Sequence, residues 1–524
     1  MTATTLSTQV LIIGGGATGT GLARDLALRG VACILVEKQD INAGASGGNH
    51  GLLHSGARYI ASDPHSAREC REEGALLKRL APQCVEDTGG FFVAVPGDDE
   101  AYIADFSDRC AACGIAAEGV DPKDALEQEP CLSPDAIAVF AVEDATIDPF
   151  MLSLDNLAQA RSLETKVLLH HKVLGFDKRK GRVESVRLRD LHSSKDVRIH
   201  AEQIVNASGA WAGEVAAMAG AHIDMLYSQG SLVISQSRLG QRVINRLRKA
   251  ADADILVPAG TVSIFGTTSK RIDAPDNCRP TTAEIDAMLD DGMAMVPQLS
   301  STRYIRAYAG VRPLVRTGGG SDDRAVSRGF SLLDHEDHGL DNFITITGGK
   351  LTTYRLMAEK TADLVCRRLG NTEPCRTATD PLPASSQAQY TEPGLTPKLW
   401  FKKNDPGDLL LCECEMVSIS VFNEIAGSLT HNGHRPGLRE IGQRSRVGKG
   451  PCQGSFCSLR MAAHMYDQGM LKDGEGIDEL KDFLNERWRG MQPLLWGPAV
   501  AQAELQEALH CGLLGLETEE ILKT

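Results

Sequence analysis

The chain has 524 residues, enough for two to four domains at roughly 150 residues each. Its 42% hydrophobic content is ordinary for a globular protein with sizeable cores. Lys and Arg number 55 against 69 Asp and Glu, a formal charge of −14, which argues against a general nucleic-acid-binding surface but leaves room for a basic pocket. Residues 1–9 carry no basic stretch, and Val10–Ile13 is too short for the apolar core of an export signal. No apolar run approaches the roughly 18 residues of a membrane span, so the expectation is a soluble or peripheral protein. The 14 Cys then read as thiols or ligands and not as disulfides.

Val10-Leu-Ile-Ile13 reads as a buried strand, followed at once by Gly14-Gly-Gly-Ala-Thr-Gly19. A helix runs through Thr20–Arg29, and a second strand, Val31–Val36, ends at Glu37. In this order Gly14 permits a tight turn, Gly16 lets backbone approach a pyrophosphate, and Gly19 allows close helix–strand packing. The helix N-terminus favours the anion. Glu37 stands where a ribose-binding acid is expected, with Lys38 beside it, and an acid there disfavours a 2′-phosphorylated dinucleotide. The fingerprint alone does not separate FAD from NAD. The next stretch favours FAD: Ala43-Gly-Ala-Ser-Gly-Gly-Asn-His-Gly-Leu-Leu-His54 is a small-residue loop suited to lie against a large planar cofactor, with Ser46 and Asn49 as candidate contacts. Two further strand–glycine–helix junctions aim backbone N–H groups the same way. Gln203–Asn206 runs into a turn holding Gly209 and Trp211, and Phe343–Thr347 runs into one holding Gly348, Gly349, Leu351 and Thr352.

Six prolines (Pro374, Pro381, Pro383, Pro393, Pro397, Pro406) mark residues 371–407 as a linker. Behind it, Cys412 and Cys414 form C-x-C, and Cys452 and Cys457 form C-x4-C. Two such thiolate pairs hold either a [2Fe-2S] cluster or a zinc ion, and a flavin upstream favours the cluster. Cys110 and Cys113 also space as C-x-x-C but lack a second pair and read as ordinary thiols. The tail, 461–524, is helical by periodicity, with Leu505, Leu509, Leu513 and Leu516 as a packing face.

At these residues the chain resembles the FAD-dependent glycerol-3-phosphate dehydrogenases, flavoproteins of the D-amino-acid-oxidase type. The matching motifs are Gly14–Gly19, Leu52-Leu-His-Ser-Gly-Ala-Arg-Tyr59, Ala309-Gly-Val-Arg-Pro-Leu314 and Thr347-Gly-Gly-Lys-Leu-Thr-Thr-Tyr-Arg355. The four Cys narrow the resemblance to the anaerobic bacterial branch, since the aerobic homodimeric form lacks them. Their pattern is similar to the [2Fe-2S] domain of bacterioferritin-associated ferredoxin, although that family more often has C-x2-C in the second pair. The resemblance implies an α/β fold: a Rossmann-like FAD domain (about 8–80, 145–225 and 330–370) interleaved with a mixed-sheet substrate domain within 1–370. A four-cysteine module at 408–460 and a helical tail follow. It also implies two partner subunits, a peripheral position on the inner face of the cytoplasmic membrane, and quinone as eventual acceptor.

Oxidising a secondary alcohol needs a base, a hydride acceptor and a grip on the charged end of the substrate. By resemblance Arg312 and Arg328 bind phosphate, while Arg58 and Lys350 sit near the reacting carbon, where positive charge stabilises a developing alkoxide. His54 is the candidate base, because imidazole titrates near the working pH, or else a structural hydrogen-bonder beside the flavin. Tyr59 adds a further hydrogen bond. Two rival functions remain: an amine or 2-hydroxy-acid oxidase of the same fold, and a non-enzymatic iron–sulfur carrier.

Overall fold

The computed structural model describes residues 4–316, 329–430 and 435–516. The run Val10–Ile13 is the end of a ten-residue strand, Thr4–Ile13, at the centre of an eight-stranded sheet. Its side chains alternate between two cores. Val10 and Ile12 pack under the helices Ala17–Leu28, Pro149–Ser162 and Tyr354–Leu369. Leu11 and Ile13 pack against the opposite layer, which includes the helix Ala212–Ala219. Covering both faces is why this strand is continuously apolar. Five strands of the sheet run parallel in the order Lys166–Leu168, Cys33–Val36, Thr4–Ile13, Asp196–Asn206, Phe343–Gly348. Their registers place Leu168, Val36, Ile13, Asn206 and Thr345 in one row, so five C-terminal ends open on one edge. The chain moves outward to opposite sides of Thr4–Ile13, and such a switch point is where doubly wound sheets bind ligands.

A second, nine-stranded mixed sheet draws its strands from 90–142, 225–272 and 304–315, the intervals between those of the first. Its longest ladder pairs Met225–Ser235 with Tyr304–Val315 antiparallel, setting Gly230 opposite Gly310 and Ser228 opposite Arg312. The helix Thr282–Gly292, closed by a Thr281–Glu284 capping box, packs on the far side of this sheet.

The proline-rich stretch lies along the first domain. Leu382 and Ala388 are buried in its core, Leu382 N–H donates to Leu80 O at 2.7 Å, and Thr391 Oγ1 donates to Asp148 Oδ2 at 2.6 Å. The C-terminal module builds its own core around Phe422, Ile441, Met461 and Phe483. The boundary read at 460 falls inside the helix Cys457–Asp467, and Leu480 and Leu516 belong to the same core. Ligand spacing marks a site, not the apolar cluster that folds round it. The tail's expected packing face is also corrected: Leu505 and Leu513 are 48% and 74% exposed. A π-helical turn, Ala508–Leu513, breaks the four-residue period there. The inward face carries Gln506 and His510, bonded to the Cys452 and Ser455 carbonyls at 2.8 and 3.1 Å. Among the described residues, ion pairs that fasten the module to the rest include Arg444 to Asp40, His170 to Glu440 at 2.7 Å, and Arg306 to Glu486. Among the described residues no helix is long and apolar enough to cross a membrane.

Candidate active site

The parallel strands and the long antiparallel ladder enclose a cleft of about 370 Å³, within the usual size of a cofactor site. The strand Thr4–Ile13 enters it through Gly14, whose φ of +118° is left-handed and whose added Cβ would strike the Ala207 carbonyl. A Cβ on Gly19 would meet the Gly14 carbonyl, so the first turn of the helix Ala17–Leu28 is drawn against the strand end. Gly16 is the N-cap, and Ala17 N–H donates to Ser46 Oγ at 2.9 Å, presenting a hydroxyl at the helix N-terminus. Glu37 accepts from Gly15 N–H at 2.7 Å and Gln39 N–H at 2.8 Å. Burial raises its pKa, opposed by those N–H bonds. Lys38 lies exposed at the same rim.

Three cleft segments are tied together by threonine hydroxyls. Thr347 Oγ1 donates to Gly209 O at 2.9 Å, and Thr352 Oγ1 accepts His54 N–H at 3.2 Å. The strand Phe343–Gly348 leaves through Gly348 and Gly349, at φ +84° and +70°, which turns the chain so that Lys350 and Leu351 face the cleft. Trp211, on the Gly209 turn, donates Nε1–H to Asp276 at 3.2 Å and lies against Gly44. Asn49 staples its own loop, donating to Ala45 O and Ser46 O and accepting from Gly51 N–H.

The polar end of the cleft gathers the side chains named for chemistry. Arg58 projects from the turn Ala57–Tyr59 and is held by Asp254 Oδ2 at 2.9 Å and Ala251 O at 3.2 Å. Asp254 is fully buried and also binds Arg248 at 2.8 Å, so it fixes Arg58 without leaving a bare charge. Arg312 donates to Thr268 O at 3.1 Å and to Thr267 Oγ1. The Lys350 ammonium stands 4.8 Å from the Tyr59 ring centre, and the Tyr59 hydroxyl is 3.4 Å from His54 Nε2. Arg328 lies outside the described residues. Sequence reasoning passed over Asp254, Tyr308 and His50. The first two had no motif signal. His50 sat inside the quoted small-residue loop, four residues before His54.

The four module cysteines also meet. Cys412 and Cys414 Sγ are 3.7 Å apart, as are Cys414 and Cys452. Hydrogen bonds from the Cys414 and Cys457 thiols lower the pKa of Cys412. Two sulfurs sharing one tetrahedral metal at about 2.3 Å stand close to 3.8 Å apart, so the first pair suits a common metal. A Cβ on Gly450 would come within 2.5 Å of Cys414 Sγ, so only glycine leaves room for that sulfur. Among the described residues no three His, Cys, Asp or Glu side chains yet close round an ion, so the thiols are an assembled donor row and not a finished cage.

Residues 9–364 match the family model of FAD dependent oxidoreductases. Over 98% of both chains the protein is 44% identical to a subunit of the anaerobic glycerol-3-phosphate dehydrogenase of Escherichia coli (strain K12). The chain belongs to that family. It is also 37% identical to the A1 subunit of the anaerobic glycerol-3-phosphate dehydrogenase of Haloferax volcanii, over 98% of this chain and 92% of the relative. Among solved structures, the glycerol-3-phosphate dehydrogenase of Bacillus halodurans complexed with FAD superposes with a TM-score of 0.64 at 20% identity, covering 94% of this chain and 96% of that one. The family's α/β FAD-binding fold is thus the fold described above. A glycine oxidase from Geobacillus kaustophilus matches at a TM-score of 0.58 and 19% identity over 72% of this chain and 99% of that one, a likeness of fold alone.

Proposed function

We propose that this chain oxidises sn-glycerol 3-phosphate to dihydroxyacetone phosphate. The observation that carries the reading is the convergence of Arg58, Arg312, Lys350 and His54, from widely separated segments, at the polar end of one dinucleotide cleft. FAD fits the rest of the cleft: Gly14, Gly348 and Gly349, all at positive φ, turn two strand ends into its wall, and the N-terminus of the helix Ala17–Leu28, with Ser46 beside it, suits a pyrophosphate. Bound flavin supplies the acceptor for the C2 hydrogen and its electron pair. The protein supplies everything else. Arg312 takes phosphate oxygens, a task suited to a planar fork of donors. Arg58 and Lys350 offset negative charge at the C2 oxygen as its proton leaves. His54, its ring held beside the Tyr59 hydroxyl, accepts that proton.

In the C-terminal module Cys412, Cys414, Cys452 and Cys457 are the ligands of a [2Fe-2S] cluster, which supplies one-electron steps between flavin and an external acceptor. The relatives are themselves named as single subunits of a dehydrogenase, which supports a complex with further chains, two by the family pattern. Peripheral attachment to the inner face of the cytoplasmic membrane and quinone as final acceptor belong to the same reading. The test is a visible spectrum of the purified holoprotein. Glycerol 3-phosphate bleaches the flavin bands under anaerobic conditions, while sarcosine and D-alanine leave them unchanged. Flavin that stays oxidised with glycerol 3-phosphate refutes the activity. Metal analysis separates iron with inorganic sulfide from zinc, which uses the same ligand set.

A further inference from the structure

The loop Ala43–His54 carries two histidines in the cleft wall, and the fold settles more about His50 than about His54. The peptide leading into His50 is locked to the nine-stranded sheet. Gly48 and Gly310 lie so close that a Cβ on either would meet the other's backbone. The Tyr308 hydroxyl donates to Asn49 O at 2.8 Å. Both partners sit on the strand Tyr304–Val315, which also carries Arg312. The ring is then oriented by its own turn, because Leu52 N–H donates to His50 Nδ1 at 3.2 Å. Nδ1 is therefore an acceptor, and a neutral ring with an acceptor Nδ1 carries its proton on Nε2. Among the described residues no protein group lies in hydrogen-bonding contact with that Nε2.

The charged and titratable groups around the ring are Arg58 and Arg312, then His54 at 6.1 Å between ring centres, with Tyr59 and Lys350 behind it. Burial first, and the two guanidinium charges second, push the His50 pKa down to about 3. A third positive charge is excluded there, so the ring stays a neutral donor across the working range.

We infer that His50 is a fixed hydrogen-bond donor whose Nε2–H binds an oxygen of the phosphorylated alcohol between Arg58 and Arg312, and that it takes no part in proton removal. The inference rests on the proposed function and deepens it. In the reaction the C2 hydroxyl proton goes to His54, and the C2 hydrogen leaves with its electron pair to the flavin. His50 neither gains nor loses a proton. A donor of this kind also sets substrate class. It is satisfied by a hydroxyl or phosphate oxygen, whereas a substrate ammonium offers it no lone pair and meets two guanidinium charges beside it. The two histidines thus divide the work: one is held as a permanent donor, and the other takes the proton.

The experiment compares the holoprotein with His50→Phe, which keeps a ring without a donor, and His50→Gln, which restores a side-chain N–H. Flavin content, read from the visible spectrum, reports that each variant has folded. The expected result is a KM for glycerol 3-phosphate raised roughly 10- to 100-fold in H50F, the loss typical of a hydrogen bond to a charged group, with kcat moving less and H50Q recovering part of it. The acid limb of the kcat/KM pH profile persists in both variants. An unchanged KM in H50F overturns the assignment, and so does loss of the acid limb, which would make His50 the base. Wild-type flavin that glycerol 3-phosphate does not bleach overturns the proposed activity along with this role. Bleaching in the wild type with indifferent His50 variants overturns this role alone.

Discussion

The C-terminal module is fastened to the FAD domain by a buried ion pair, and its removal has a measurable cost. Arg444 Nη2 lies 2.7 Å from Asp40 Oδ1, Nη1 binds Oδ2, and both side chains are only 5% exposed. Arg444→Met fills similar space and leaves Asp40 in the interface without its principal partner. Breaking a buried pair from one side typically costs about 3–5 kcal/mol, because the remaining charge is left uncompensated. The nearby Arg161 and the Ile41 N–H, which donates to Asp40 at 2.7 Å, remain in place, so about 2–4 kcal/mol is expected. Asp40→Asn leaves the guanidinium beside a neutral amide and is expected to cost a similar amount. Calorimetric unfolding of both variants, with hydrogen exchange across 408–516, measures this. A penalty below about 1 kcal/mol in both variants, or no loosening of the module in exchange, refutes the argument.

Arg312→Ala removes a donor fork from the phosphate position and is expected to cost about 2–4 kcal/mol in kcat/KM, roughly 30- to 1000-fold, mostly as a raised KM in steady-state assays. An unchanged KM would take Arg312 out of the site. Cys412→Ser is expected to abolish the EPR signal of the reduced cluster while glycerol 3-phosphate still bleaches the flavin. Loss of both would mean that the module also shapes the flavin site. The His170–Glu440 contact raises the His170 pKa through a hydrogen bond and charge that outweigh burial, so its stabilisation is present below the unfolded pKa and is lost as pH rises through the folded one. His170→Gln is therefore expected to lower the unfolding temperature near pH 6 and leave it unchanged near pH 8.5.

Local pattern alone carried the dinucleotide end. A β–glycine–α–β order with an acid at its close is a short-range code, because each glycine answers to the residue a turn away: Gly14 to its own positive φ, Gly19 to the Gly14 carbonyl. Cysteine spacing marked the donor row for the same reason, and the GGKLTTY turn was legible because two successive left-handed residues require glycine. Other features are products of distance in sequence. Asp254 reaches Arg58 across 196 positions, Arg444 reaches Asp40 across 404, and His50 acquires its surroundings from a strand more than 250 residues away. The limits of the module, and the turning outward of Leu505 and Leu513, followed from which polar groups the cysteine loop needed to bond. Hydrogen bonds and charges act through space. The sequence by itself determined which chemistry was on hand, and only the tertiary structure decided which of two neighbouring histidines is held neutral between guanidinium groups.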